Sequence, residues 1–333
     1  MIIETDINHI LPSGHISVLT HQLSTLNRRF LGFKFRAGVL IVKNGRCVPV
    51  VDGKTDLVRF TDGLPRKSRH LLEVPPMPTG ELRDTLVVPG SQLYYHFMIN
   101  HLPTLLFLRN SAGTPPYLIT AMGPNPDSVA GLIENILAAL FPETMINRRL
   151  CDDGVYAMST VVMAINRDHV VATHFHRTVT LPVLYQSATR LFADRGPIKL
   201  FVRRTAERRR MANQCDIESW YVARGFVAID PGAMSVAEQA AWFSRATHIV
   251  GVEGGGMTNL VFAVSARMVV VLCSVLTAND QFFRDLVEPL GVAYHMVAGE
   301  PLDSATRRRD SDFSISLLRI EALHRSSPEL ALT

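Results

Sequence analysis

The spacing of apolar and polar positions changes period several times along the chain, and each change predicts an element. Residues 30 to 60, FLGFKFRAGVLIVKNGRCVPVVDGKTDLVRF, are rich in β-branched and aromatic residues and are interrupted by Asn44-Gly45 and Asp52-Gly53, which predicts β-hairpins near the N-terminus. A short strand at Thr85 to Val88 ends in Pro89-Gly90, and LYYHFMINHLPTLLFLRN behind it carries apolar residues at helical spacing. PYLITAM then predicts a strand, Asp127 opens a helix over DSVAGLIENILAALF, and the region of VYAMSTVVMAI predicts further strands. From Leu181 the rhythm is regular: helix VLYQSATRLFADRG, strand IKLFVRR, helix DIESWYVARG, strand FVAID, helix SVAEQAAWFSRA, strand HIVGV, helix GMTNLVFAV, strand MVVVLCS.

Strands alternating with helices at this spacing predict an α/β architecture, and the second half predicts a doubly wound parallel sheet. The tail segment FSISLLRIEALH has helical spacing and suggests a closing helix that packs back on the first domain. The expected division is an N-terminal α/β domain over residues 1–180, a Rossmann-like domain over 181–300, and a C-terminal tail over 301–333. A chain of 333 residues exceeds the size at which one core usually keeps growing, which agrees with two domains.

Composition narrows the class. Hydrophobic residues at 47% and charged residues at 19% exclude a disordered or low-complexity chain. A net charge of +4 is too small for a dedicated nucleic-acid binder, so no nucleic-acid partner is expected and an anionic ligand has to be met locally. Cys47, Cys151, Cys215 and Cys273 lie far apart without a CxxC pair, which fits reduced thiols in a cytoplasm better than zinc or a disulfide framework. The opening MIIETDINHILPSGH lacks the basic start and apolar run of a signal peptide, so no export is expected. Apolar runs such as Met268 to Leu276 fall far short of the roughly 20 residues that span a bilayer, which leaves peripheral membrane association open.

Four constellations carry candidate chemistry. Arg203 and Arg204 follow a predicted parallel strand, where ligands bind, and with Arg208, Arg209, Arg210 and Asn213 they form a candidate site for a diphosphate; a solvated basic loop is the alternative for Arg208 to Arg210. Gly251-Val252-Glu253-Gly254-Gly255-Gly256-Met257-Thr258-Asn259 joins a buried strand to a helix, so its glycines and free amides can approach a phosphate or sugar, or simply pack tightly. A dinucleotide GxGxxG fails because the third glycine falls on Asn259, which counts against an NAD-dependent oxidoreductase, and the Walker lysine is missing too. Ser235 and Glu238 have capping-box spacing, while Glu238 could instead accept from a ribose. His96, in Tyr94-Tyr95-His96-Phe97 at a helix start, is a candidate general base or a half-buried structural histidine.

Weaker signals are His174-x-His176, which on one face of a strand would offer two metal-ligating imidazoles, and Asp310-Ser311-Asp312, whose setting beside Arg307-Arg308-Arg309 predicts a surface turn. Cys273 at a strand end predicts a buried thiol rather than a nucleophile.

Taken in order, YYHFMINHLPTLLFL, LFVRRTAERRRMANQ and DPGAMSVAEQAAWFSRATHIVGVEGGGMTNLVFA resemble glycosyltransferase family 61 of the bacterial capsular-polysaccharide type, over about residues 85 to 275. The resemblance implies a GT-B fold of two facing Rossmann-like domains with parallel sheets, the first on the acceptor side. It implies inverting transfer of a hexose or pentose from a nucleotide-diphosphate sugar, a UDP-sugar foremost, to a glycan or lipid-linked glycan, with no obligatory metal or other cofactor, in the cytoplasm or at the inner face of its membrane. Arg203, Arg204 and Asn213 would then lie at the donor phosphates, Glu238 at the ribose, and Gly254, Gly255, Gly256, Thr258 and Asn259 at the diphosphate and sugar. His96 matches the acceptor-side histidine. The chain departs from the family pattern at Asn100, where an acidic residue is usual, at Thr104, usually arginine, and at Glu253-Gly254, usually HG. Glu253 could accept a sugar hydroxyl or act as base. A non-catalytic sugar- or nucleotide-binding relative is the remaining alternative.

Overall fold

The structure is a computed structural model that describes residues 2–6, 16–23, 28–35, 39–43, 46–50, 80–88, 94–103, 117–120, 130–140, 154–164, 168–193, 196–206, 208–303 and 311–326. The turn pair Asp52-Gly53, the pair Pro89-Gly90, Thr104, Cys151, Arg307 to Arg309 and Asp310 lie outside the described residues. The chain divides into two compact units, Met1–Ala172 and Thr173–Thr333.

The first unit is built on one sheet of β1 (Ile2–Asp6), β2 (Ile16–Leu23), β3 (Arg28–Phe35), β4 (Val39–Lys43), β5 (Arg46–Val50), β6 (Gly80–Val88), β7 (Tyr117–Thr120) and β8 (Gly154–Ala164). The hairpin expected at Asn44-Gly45 appears as β4 and β5, whose Lys43 and Arg46 pair across those two residues. Strand β8 organises the sheet. Its residues 161–164 pair antiparallel with β3, its residues 154–157 pair antiparallel with β4, and β6 runs parallel to it. The expectation of a parallel Rossmann-like sheet in this half is therefore met only around β6, which is parallel to both β7 and β8. The hairpins extend the same sheet antiparallel, as strands joined by short turns must.

Behind β6, a single helical turn Tyr94–His96 passes into a π-helical turn Phe97–His101. Tyr94, Phe97, Met98, Ile99 and Leu102 are buried, which accounts for the apolar spacing of this segment.

The second unit carries β9 (Ile198–Val202), β10 (Phe226–Ile229), β11 (Ala246–Val252), β12 (Met268–Ser274), β13 (Ala293–Pro301) and β14 (Phe313–Ser314) in the order β10-β9-β11-β12-β13-β14. All neighbours through β13 are parallel, and β14 closes the edge antiparallel. The sequence pattern does not single out β13, whose polar Tyr294, His295 and Glu300 break the apolar run.

Both faces of this sheet are covered. On one, Phe201, Val250, Val270 and Leu272 pack with Ile217 and Tyr221 of helix Gln214–Val222 and with Ile320 of helix Leu317–Ser326. On the other, Gly251 lies against Met257 and Val202 against Gly256 of the 3-10 helix Gly255–Phe262, which packs beside helix Val236–Arg245. Burial on both sides explains why MVVVLCS is an unbroken apolar run. The closing helix Leu317–Ser326 thus buries its apolar residue in the core of the second unit, where the sequence pattern alone suggests a return to the first domain. Its anchor is β14, which a helical period cannot reveal.

His174 and His176 lie in the helical run His169–Phe175 and His176–Thr180, not on a strand. Asp168 starts this helix by accepting from the amides of Val170 and Val171. Residues two apart on a helix point about 200° apart, so the two imidazoles do not converge on one ligand. Among the described residues no helix is long and apolar enough to cross a membrane.

Candidate functional site

In the second unit the chain goes from β9 outward to β10, then crosses back past β9 to continue through β11, β12 and β13. The switch in direction falls between β9 and β11. At such a point the loops leaving the carboxyl ends of neighbouring strands run to opposite faces, which is where open α/β sheets bind ligands. The residues that follow the two strands are Arg203-Arg204 and Glu253-Gly254-Gly255-Gly256.

Arg204 spans the gap. Its Nη1 donates to the Glu253 carbonyl oxygen at 3.1 Å, and its Nε and Nη2 donate to the Arg208 carbonyl at 3.1 and 2.9 Å. Its amide donates to Gln214 Oε1 at 3.0 Å, which fixes the backbone where the strand ends. Among the described residues no carboxylate lies within ion-pair distance of this guanidinium. Burial, together with the neighbouring Arg209, holds its pKa below the usual arginine value. It is a cation held by neutral carbonyls, a state that attracts an anion. Gly254 makes the arrangement sterically feasible, because a Cβ there would collide with Arg204 Nη1. Around Gly255 a Cβ would meet nothing within 4 Å, so the loop lies open at its centre.

Glu253 lies beside this cation. Its carboxylate accepts a short hydrogen bond from Thr277 Oγ1, and its other oxygen is 3.7 Å from Arg209 Nη1. Arg209 is a non-glycine residue at φ +55°, in the left-handed region. Thr277 and Gln214 were not singled out as ligand residues by the sequence, whereas Arg209 belongs to the arginine run read there as a candidate anion site or a solvated loop. Thr277 lies 24 positions from Glu253, beyond the reach of any local spacing rule. Cys273 is buried next to this region, and burial, with Glu253 and Asp280 adding to it, pushes its thiol up to about 12, in keeping with an inert core residue.

Other expected ligand residues are committed elsewhere. Arg203 forms a two-pronged ion pair with Glu218, one arm at 2.8 Å, and that hydrogen bonding raises its pKa. Asn213 donates to the Ile315 carbonyl at 2.8 Å and accepts from the Ile315 amide at 3.2 Å, so it clamps β14 rather than reaching a phosphate. Glu238 completes a capping box with Ser235, and those hydrogen bonds lower its pKa. Arg210 grips Asp312 with its amide and two side-chain nitrogens, so this part of the arginine run is an ordered brace.

The glycine loop is held from beneath. Asn259, fully buried, donates to Gln239 Oε1 at 2.6 Å and to the Gly256 carbonyl at 3.0 Å, and Gln239 Nε2 donates to the carbonyls of Pro231 and Met234. Asn259 therefore shapes the loop from the core side. Thr258 is also fully buried, and its hydroxyl has no partner among the described residues.

In the first unit, His96 is exposed and its Nδ1 lies 3.1 Å from Asn100 Nδ2. Neighbouring packing holds its pKa below the usual imidazole value. Tyr95 beside it meets His169 Nε2 through its hydroxyl at 2.7 Å. His101, one residue past Asn100, is buried, and burial with the nearby His96 pushes its pKa down to about 3. Among the described residues no group of three or more His, Cys, Asp or Glu is arranged to hold a metal ion.

A sequence model described as Glycosyltransferase 61 matches residues 94–271, a span that begins two residues before His96 and runs through Arg204, Glu253 and the glycine loop into β12. No curated protein matches the chain.

Proposed function

The chain belongs to glycosyltransferase family 61, and from that premise we propose that it moves a hexose or pentose from a UDP-sugar to a hydroxyl of a glycan or lipid-linked glycan, with inversion and without an obligatory metal. The second unit holds the donor and the first supplies the acceptor-side histidine, in a GT-B organisation. The acceptor hydroxyl attacks the anomeric carbon and gives its proton to His96; the bond from that carbon to the diphosphate breaks, and the leaving diphosphate takes the electron pair. Arg204 and the amides of residues 254–256 neutralise it, the part that a divalent ion plays in metal-dependent transferases. Glu253 accepts from a hydroxyl of the donor sugar. The product belongs to capsular or related surface glycan synthesis, at the cytoplasmic face of the membrane.

The observation that supports this reading best is Arg204, a half-buried guanidinium held by carbonyl oxygens against Gly254 at the switch point. Calorimetric titration with UDP, GDP, CMP and NAD, each with EDTA, tests it. Micromolar binding of UDP that survives EDTA and weakens by about 10- to 100-fold in Arg204→Ala is expected, the loss of a charge-assisted contact. Binding of NAD alone, or UDP affinity unchanged by the substitution, overturns it.

A further inference from the structure

The four ordered cations around the switch point differ in their partners. Arg203 is paired with Glu218 and Arg210 with Asp312, each through two or more short contacts. Among the described residues Arg204 meets carbonyls only. Among the same residues Arg209 has one long contact, 3.7 Å, to Glu253 Oε1, beyond hydrogen-bond range. A guanidinium with five donors is poorly satisfied by one such contact. Meanwhile Glu253 is anchored on its other oxygen by Thr277, so the carboxylate stays in place and the arginine is the movable partner.

The backbone is shaped to hold Arg209 there. Its left-handed conformation, uncommon for a residue with a long side chain, accompanies a turn in which the Arg208 carbonyl faces the Arg204 guanidinium while the Arg209 side chain lies toward Glu253. Two guanidinium groups and one carboxylate thus converge at the ends of β9 and β11. The carboxylate cancels one of the two positive charges, and it stands where the anion of a ligand would.

We propose that Glu253 is the resting counter-ion of Arg209 and that a ligand diphosphate displaces it, so that Arg209 joins Arg204 as the second phosphate-binding cation and Glu253 sets the affinity of the site. The proposal deepens the reading above and rests on it, since it takes the switch point to be a phosphate site. In the empty site only Arg204 is ready for an anion. Two charges on a diphosphate recruit Arg209 at the cost of breaking its contact with Glu253, and a single phosphate does so less well. The glutamate therefore lowers affinity for the diphosphate product as well as for the donor, which speeds release after transfer.

Inorganic pyrophosphate is the probe, titrated calorimetrically into the full-length protein. Glu253→Gln keeps the shape and the Thr277 contact and removes the charge; it is expected to bind pyrophosphate about tenfold or more tightly than wild type, the scale of one relieved charge contact. Arg209→Ala is expected to bind more weakly than wild type, and in the Arg209→Ala background the gain from Glu253→Gln is expected to vanish. Thermal melts of each variant confirm folding. Unchanged or weaker binding by Glu253→Gln overturns the counter-ion assignment, as does a gain that persists without Arg209. If Arg204→Ala leaves pyrophosphate binding intact, or wild type binds none, the phosphate site itself fails and the proposal with it; binding that Arg204→Ala removes and Glu253→Gln leaves unaltered sinks the proposal alone.

Discussion

Gly254 and Arg204 can be treated as one device, since the guanidinium occupies the space that a side chain at 254 would need. Gly254→Ala is therefore expected to push Arg204 off the Glu253 carbonyl and to weaken UDP binding by about 1.5–3 kcal/mol, the range of a hydrogen bond to a charged group, with little change in melting temperature. Calorimetry beside a thermal melt separates the two effects. His96 offers a second test at this scale. When the Asn100 amide nitrogen donates to Nδ1 the ring proton is on Nε2, and Nε2 accepts a proton only when the amide turns its oxygen to the ring. Asn100→Asp presents an acceptor always, and its charge raises the imidazole pKa. A base works deprotonated, so the acidic limb of the pH–rate profile is expected to move to higher pH while maximal turnover rises by roughly tenfold. An unmoved profile removes His96 from proton transfer. Residue types at strand ends were legible in the sequence, but their partners were not: nothing local to Arg203 or Asn213 shows that Glu218 and Ile315 take up their hydrogen-bonding groups.

At the scale of elements, the second half was read from its period because the central parallel strands β11 and β12 are largely buried on both faces, so burial and sequence pattern coincide. The exceptions have physical causes. Strand β13 is only partly buried and carries polar residues, the HxH pair has no pattern of its own and follows the helix that Asp168 starts, and β14 is only two residues long. Such a short strand needs a clamp, and Asn213 provides it from 102 positions away. Asn213→Ala is expected to cost about 1–3 kcal/mol, two partly buried hydrogen bonds, and to lower the melting temperature by several degrees while leaving UDP affinity unchanged. A loss of affinity without a loss of stability would return Asn213 to the donor site. Ser235→Ala removes the helix cap of Val236–Arg245 and is expected to cost about 1 kcal/mol, read by the same melt.

For the whole molecule, the two units differ in how their sheets are made, and that difference limits what the sequence shows. The mixed sheet of the first unit joins hairpins from the first 50 residues to strands more than 100 residues later, and such pairings leave no local period. The second unit is assembled from neighbours in sequence order apart from one reversal, and the proposed donor site lies at that reversal. Donor binding should therefore leave a footprint confined to a few connections of that unit. Amide hydrogen exchange with saturating UDP is expected to slow at residues 203–209 and 253–262, where Arg204, the glycine loop and Arg209 are ordered by the ligand, and to leave the segment 94–103 unaltered. The expectation is specific because Asn259, Gln239 and Asp312 already pin the bases of these loops, so that ligand can add order only at their tips. Protection spread over β1 to β8 instead would place the nucleotide in the first unit and reverse the division of labour between the two.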